Sequence, residues 1–75
     1  MSPDLIHRSL QAAFPNAEIV AEDYTGGGDH FSVHVISPDF AGRSLVERHQ
    51  MVYRALGTLM PEIHALQLKT DAPGE

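Results

Sequence analysis

Histidine is the residue type in this chain whose side chain is best suited to metal binding or proton chemistry. The 75 residues include five histidines and no cysteine. Imidazole titrates near neutral pH and is the commonest metal ligand among side chains, whereas the lack of thiolates removes one class of nucleophile and ligand. Two of the histidines, His30 and His64, stand at the starts of separate predicted strands, and they are the candidate metal ligands.

Familiar catalytic motifs are absent from the sequence. It has no Gly-x-Ser-x-Gly elbow, no His-Glu-x-x-His helix and no phosphate loop with Gly-Lys-Ser/Thr. The run Gly26-Gly27-Gly28 is not a phosphate loop, since neither a lysine nor a helix start follows it. We therefore expect a protein that is not an enzyme.

A first helix is predicted from Ser2-Pro3, an N-cap followed by proline at the first helical position. It ends near Phe14, because Pro15 disfavours helical angles at the residue before it. Its apolar stripe consists of Ile6, Leu10, Ala13 and Phe14.

A second and longer helix is predicted from about 44 to 58. It opens on a capping box, in which Ser44 and Glu47 satisfy each other's backbone donors, and Gly57 is its expected stop. His49 lies on its core stripe, where we expect a buried ring hydrogen-bonded to backbone; the alternative is a metal ligand. The stripe is Leu45, His49, Val52 and Leu56.

Three strands are predicted, at about 17–24, 30–35 and 63–70, with a glycine-rich connection at 25–29 and a polar, frayed tail at 71–75. The first two strands form an antiparallel hairpin. In the second, a clean period of two places one set of side chains toward the core: Phe31, Val33 and Val35.

The predicted order is α-β-β-α-β in a single domain, 1–75. Because a helix connects the second and third strands, these two are expected to be parallel neighbours. The predicted fold class is α+β, a two-layer sandwich with a three-stranded mixed sheet and both helices on one face.

Parallel pairing has a consequence for the two candidate ligands. His30 and His64 would begin adjacent strands at the same sheet edge, about 4.8 Å apart. Two imidazoles are too few for a closed zinc site, so an ion would take its other ligands from another molecule. The alternative is that both residues merely begin strands. Asp29 either orients the His30 ring or forms a turn.

The charge balance argues against general nucleic-acid binding. The formal charge is −5, whereas a nucleic-acid binder needs a basic surface. The cations that remain available for phosphate are Arg43, Arg48, Arg54 and Lys69.

No apolar run is long enough to span a bilayer, and no secretion signal is expected at the N-terminus. The lack of cysteine is compatible with a reducing cytoplasm, which is the expected location.

Several separated motifs resemble those of the BolA-like protein family, over nearly the whole length of the chain. They are Thr25-Gly26-Gly27-Gly28-Asp29-His30-Phe31, Ser37 followed by Phe40-Ala41-Gly42, Arg48-His49-Gln50-Met51-Val52-Tyr53, and Ile63-His64-Ala65-Leu66 with Lys69-Thr70 and Pro73. The resemblance implies a fold related to class II KH domains.

The resemblance also implies a role in iron–sulfur cluster handling, in a heterodimer with a monothiol glutaredoxin that shares a 2Fe–2S cluster. The BolA-like partner supplies a histidine that matches His64 and a second ligand, Cys or His, from the hairpin loop. Gly27 lies about where some relatives carry cysteine, so His30 is the candidate, as in histidine-type members. The glutaredoxin and its glutathione would supply thiolates, and mixed ligation should raise the reduction potential.

Two other functions are compatible with the sequence. Some relatives are described as DNA-binding transcriptional regulators, although this chain is acidic and lacks a Gly-x-x-Gly loop between helices. A protein-interaction module without metal is the third possibility. Whether the free protein is a monomer or a weak homodimer is left open by the sequence.

Overall fold

A computed structural model of the chain describes all residues from Met1 to Glu75. Its main elements follow the predicted order α-β-β-α-β, with two short 3-10 helices, Pro38–Phe40 and Gly57–Glu62. No helix is both long and apolar enough to cross a lipid bilayer. The main elements are α1 (Pro3–Ala13), β1 (Glu18–Asp23), β2 (His30–Ile36), α2 (Leu45–Leu56) and β3 (Ala65–Asp71).

The three strands form one mixed sheet in the order β1-β2-β3, as predicted. β1 pairs antiparallel with β2, with Ile19 opposite Val35. β2 pairs parallel with β3, with His30 opposite Ala65. The central strand β2 has the clean two-residue period because one of its faces is buried and the other is only half-buried.

One face of β2 forms the centre of the core. Its alternate side chains are buried, while the intervening ones are half-buried on the other face. Both helices pack their apolar stripes against the first face, which confirms the two-layer arrangement. The buried set on β2, α1 and α2 is Phe31, Val33 and Val35, then Ile6 and Leu10, then Val52 and Leu56.

Both helices begin where the capping residues predict. The Ser2 hydroxyl accepts a hydrogen bond from the Asp4 amide at 3.2 Å. At α2 the capping box is complete: the Ser44 hydroxyl accepts from the Glu47 amide at 3.2 Å, and the Glu47 carboxylate accepts from the Ser44 amide at 2.9 Å. These bonds satisfy backbone donors that have no partner within a helix.

The predicted core stripe of α2 is wrong at its first residue. The Leu45 side chain is 63% exposed, and its neighbour Val46 is 67% exposed. The core covers only the second half of α2, where Val52 and Leu56 are buried. Helical spacing identifies the side of the helix that faces inward, but the tertiary packing decides how many of its turns are buried. In α1, Ala13 is likewise exposed.

The C-terminal segment is docked onto the domain, so the prediction of a frayed tail is wrong. β3 continues through Asp71, and Ala72 is buried. The two carboxylate oxygens of Glu75 accept from the Arg48 guanidinium at 2.6 Å each. Glu75 also accepts from the Ala72 amide at 3.1 Å, which closes the last turn. A polar composition alone did not reveal this long-range contact.

Candidate metal site

His30 is the first residue of β2, on the strand face opposite the core. Its side chain is 30% exposed. The Nδ1 atom lies 2.8 Å from Oδ1 of Asp29, the residue immediately before it. This contact agrees with the first of the two roles considered for Asp29, that of orienting the ring.

His64 lies one residue before β3, in a bend between the second 3-10 helix and the strand. The third strand predicted from 63 therefore starts two residues too early, because Ile63 caps the 3-10 helix Gly57–Glu62 and β3 begins at Ala65. The backbone amides of His64 and Ala65 both donate to the Asp29 carbonyl, at 2.8 and 3.2 Å. The bend frees the exposed His64 side chain from the strict alternation of a strand.

The two imidazole rings meet at this edge of the sheet. Their centroids are 4.9 Å apart, and their planes are tilted by 58°. The expected proximity of His30 and His64 is therefore confirmed. Only His30 begins a strand, however, whereas His64 lies in the bend before β3. The Asp29 carbonyl binds the bend directly to the end of the hairpin loop.

The Asp29 carboxylate also determines which nitrogen of His30 is available. Its hydrogen bond with His30 holds the pKa of the Asp29 carboxyl below its ordinary value, against the effect of desolvation. An ionised carboxylate only accepts hydrogen bonds, so Nδ1 of His30 carries the proton. The neutral ring then presents the lone pair of Nε2 to a ligand.

The hairpin loop is held by a carboxylate that the sequence analysis did not single out. Oδ1 of Asp23 accepts from the Gly26 amide at 2.9 Å, and Oδ2 accepts from the Gly28 amide at 2.8 Å. An aspartate followed by glycines is a known turn signal, which would have found it. A Cβ added at Gly27 would lie 3.1 Å from Oδ1 of Asp29, so this position borders the candidate site.

The site contains two nitrogen donors and no complete ligand set. No three side chains among the histidines, aspartates and glutamates are placed to hold one metal ion together. A metal at His30 and His64 would therefore need further ligands from another molecule.

The expected hydrogen bond of His49 is not found. Its ring is half-buried rather than buried, and its Nε2 atom is buried with no hydrogen-bond partner. The ring lies edge-on to Tyr53, with centroids 6.2 Å apart. The ring stacks with neither histidine of the candidate metal site.

His34 is half-buried and paired. Its Nε2 atom lies 2.7 Å from Oδ2 of Asp71, across the β2–β3 pair. The pair lies near the far end of β2 from His30, so it is not part of the candidate metal site.

The four cations considered for nucleic acid do not form one free cluster. The Arg48 guanidinium is bound by Glu75, which raises its pKa. Arg43 lies 3.8 Å from Glu47. Lys69 lies on the open face of the sheet, opposite His34 in the register, whereas α2 packs on the other face. Arg54 is exposed.

Comparison with known proteins gives one consistent family. The family model described as BolA-like protein matches residues 4–75. Protein BOLA2 of Arabidopsis thaliana is 39% identical over 70 residues, 92% of this chain and 75% of that protein. The Escherichia coli protein called DNA-binding transcriptional regulator BolA is 36% identical over 78 residues, 93% of this chain and 74% of that protein.

The solved structures agree with this result. The structure of BolA1 from Arabidopsis thaliana has a TM-score of 0.83 at 33% identity, over 97% of this chain and 93% of that chain. Sequence, element order and three-dimensional structure therefore lead to the same conclusion: the chain belongs to the BolA-like protein family.

Proposed function

We propose that this chain is a non-enzymatic adaptor that binds a monothiol glutaredoxin with its glutathione and co-ligates a 2Fe–2S cluster through His64 and His30. The observation that carries the proposal is the meeting of two imidazoles at one edge of the sheet, 4.9 Å between ring centroids. One of the rings is oriented by a carboxylate and the other is exposed.

The chemistry of the donor set fits such a cluster. Two histidines replace two cysteines on one iron in Rieske-type 2Fe–2S centres. The chain offers two imidazoles and no third candidate ligand, so the partner would supply the thiolates and the cluster would not be held by this chain alone. A bound cluster would supply redox chemistry at a raised potential, which suits transfer or iron sensing better than storage.

The proposal is tested by mixing the chain with a cluster-loaded monothiol glutaredoxin and recording visible absorption and circular dichroism. The parent chain should change both spectra, because imidazole replaces part of the original ligation. His64→Ala and His30→Ala should each abolish or strongly alter that change. His7→Ala, a half-buried histidine on α1 outside the site, is the matched control.

Two outcomes would contradict the proposal. If both variants reproduce the parent spectrum, the ligand assignment is wrong. If the parent chain leaves the glutaredoxin spectrum unchanged and does not co-elute with it, the adaptor function itself fails.

A second candidate function is DNA binding, the property in the name of the Escherichia coli relative. The exposed guanidinium groups of Arg43 and Arg54 favour it, whereas the pairing of Arg48 and the charge of −5 oppose it. Binding to duplex DNA should weaken steeply with salt and on Arg43→Ala or Arg54→Ala. The absence of binding at low salt would exclude it.

A further inference from the structure

An open groove of about 480 Å³ lies between α1 and the end of α2. Its apolar lining includes Leu5 on α1, Leu56 at the end of α2 and Leu59 on the following 3-10 helix. Leu5 is 40% exposed, so water is in contact with this apolar surface. Neither His30 nor His64 lines the groove.

The walls of the groove are held in place by the contact between the helices. The Ser9 hydroxyl donates to the Ala55 carbonyl at 3.0 Å, which fixes α1 against the last turn of α2. Gly57 then ends α2 with a φ of 52°, and a Cβ added there would meet no atom within 4 Å. Gly57 thus lines the groove without adding a side chain to it.

One unpaired cation lines this groove. Arg8 contributes to the lining and forms no ion pair with a carboxylate of the chain. By contrast, Arg43 and Arg48 are paired with Glu47 and Glu75. In a chain with ten acidic and five basic residues, an unpaired guanidinium beside an apolar groove is a specific feature.

We propose that this groove is the docking site of an acidic amphipathic helix from a partner protein. The apolar side chains of the partner helix would pack on Leu5 and Leu59, and a flanking carboxylate would bind the Arg8 guanidinium. Helices commonly bind in grooves through apolar anchors spaced three or four residues apart. Arginine is suited to the carboxylate because its planar donors match both oxygens.

A second copy of this chain is a poorer occupant than a different protein. Neither helix of this chain is acidic: acidic and basic residues balance in α1, and basic residues outnumber acidic ones in α2. A groove that receives a different surface of the next copy would also make a head-to-tail contact, which does not close into a symmetric dimer. The acidic helix therefore belongs to another protein.

The proposal is tested with the full chain, labelled with ¹⁵N, and two synthetic amphipathic helices. The first repeats leucine and glutamate with helical spacing, and its twin has lysine in place of every glutamate. At physiological ionic strength the acidic peptide should shift the amide resonances of the groove and bind roughly two- to fivefold more tightly than the lysine peptide. The overall negative charge of the chain would by itself favour the lysine peptide. Tighter binding of the acidic peptide would therefore indicate a specific contact in the groove.

Charge reversal at the groove provides the decisive comparison. Arg8→Glu should make the chain prefer the lysine peptide, whereas Arg54→Glu, an exposed arginine outside the groove lining, should preserve the preference for the acidic peptide. Leu5→Ser should weaken both peptides, and Leu45→Ser, an exposed leucine elsewhere, should not. The spectrum of each free variant verifies its fold.

Three results would overturn the proposal. These are tighter binding of the lysine peptide by the parent chain, shifts that map outside the groove, and an unchanged preference in Arg8→Glu. Concentration-dependent shifts of the groove without peptide would instead assign it to a second copy. The experiment contains no metal, so its outcome is independent of the cluster proposal.

Discussion

Asp29 contacts both halves of the histidine pair with two different groups. Its carboxylate accepts from the His30 ring, and its backbone carbonyl accepts from the amides of His64 and Ala65. The first contact orients a ring, whereas the second places the bend that carries His64. Because the backbone contact does not need the side chain, a substitution at Asp29 separates ring orientation from the placement of His64.

Asp29→Ala should therefore weaken cluster binding without unfolding the chain. Loss of an outer acceptor typically lowers metal affinity about 10- to 100-fold, which titration of the visible circular dichroism would measure. In the metal-free chain, the ¹⁵N shifts of the His30 ring should change from one tautomer to a mixture. Asp39→Ala, an exposed aspartate on the first 3-10 helix, is the control. Parent-like affinity together with an unchanged tautomer would show that Asp29 does not position the ring.

The hairpin loop before His30 depends on the backbone conformation of one glycine. Gly28 has a φ of +77°, and its carbonyl accepts from the amino group of Met1 at 2.9 Å. A Cβ at this position would lie 2.9 Å from that same nitrogen. The loop thus combines a left-handed conformation with a close approach of two chain segments, both of which favour glycine.

A pair of glycine substitutions separates these two effects. Gly42 has a similar φ of +75° but open space around it, so Gly42→Ala should cost about 1–2 kcal/mol from the left-handed conformation alone. Gly28→Ala should cost more, because Met1 must also move. Urea unfolding followed by far-ultraviolet circular dichroism gives both free energies. Equal costs for the two variants would show that the Met1 contact contributes nothing.

At the scale of the whole molecule, the C-terminal segment is held by one ion pair between distant parts of the chain. Arg48 on α2 and Glu75 form two hydrogen bonds of 2.6 Å, and the Arg48 side chain is only 11% exposed. The hydrogen bonds from Arg48 lower the pKa of the Glu75 carboxyl from 4.5 to about 2. Glu75 thus remains ionised in the folded chain over a wider pH range than in the unfolded one.

This pKa difference predicts the pH dependence of stability. Because the folded pKa is depressed, the stabilisation is complete above the unfolded pKa, near 4.5, and is lost as the pH falls through about 2. Glu75→Gln should therefore melt at a lower temperature than the parent at pH 7, and the difference should shrink below pH 4.5. Glu62→Gln, an exposed glutamate without an ion pair, should melt like the parent. A constant difference down to the lowest pH would refute the assignment.

The sequence by itself determined the element order, the helix starts and the strand topology of this protein. Those features depend on local information: Ser2 and Ser44 cap the helices, Gly57 ends α2, and the alternation in β2 identifies its buried face. The proximity of His30 and His64 also followed, because parallel neighbours must share an edge.

Only the tertiary structure decided how the site and the termini are held. The bend at His64 depends on the carbonyl of a residue 35 positions earlier, Asp29, and the docked tail depends on Arg48, 27 positions before Glu75. The exposure of Leu45 depends on how much of α2 the rest of the fold covers. These contacts join segments that are far apart in the sequence. No periodic pattern of residue types indicates them, so only the folded structure reveals them.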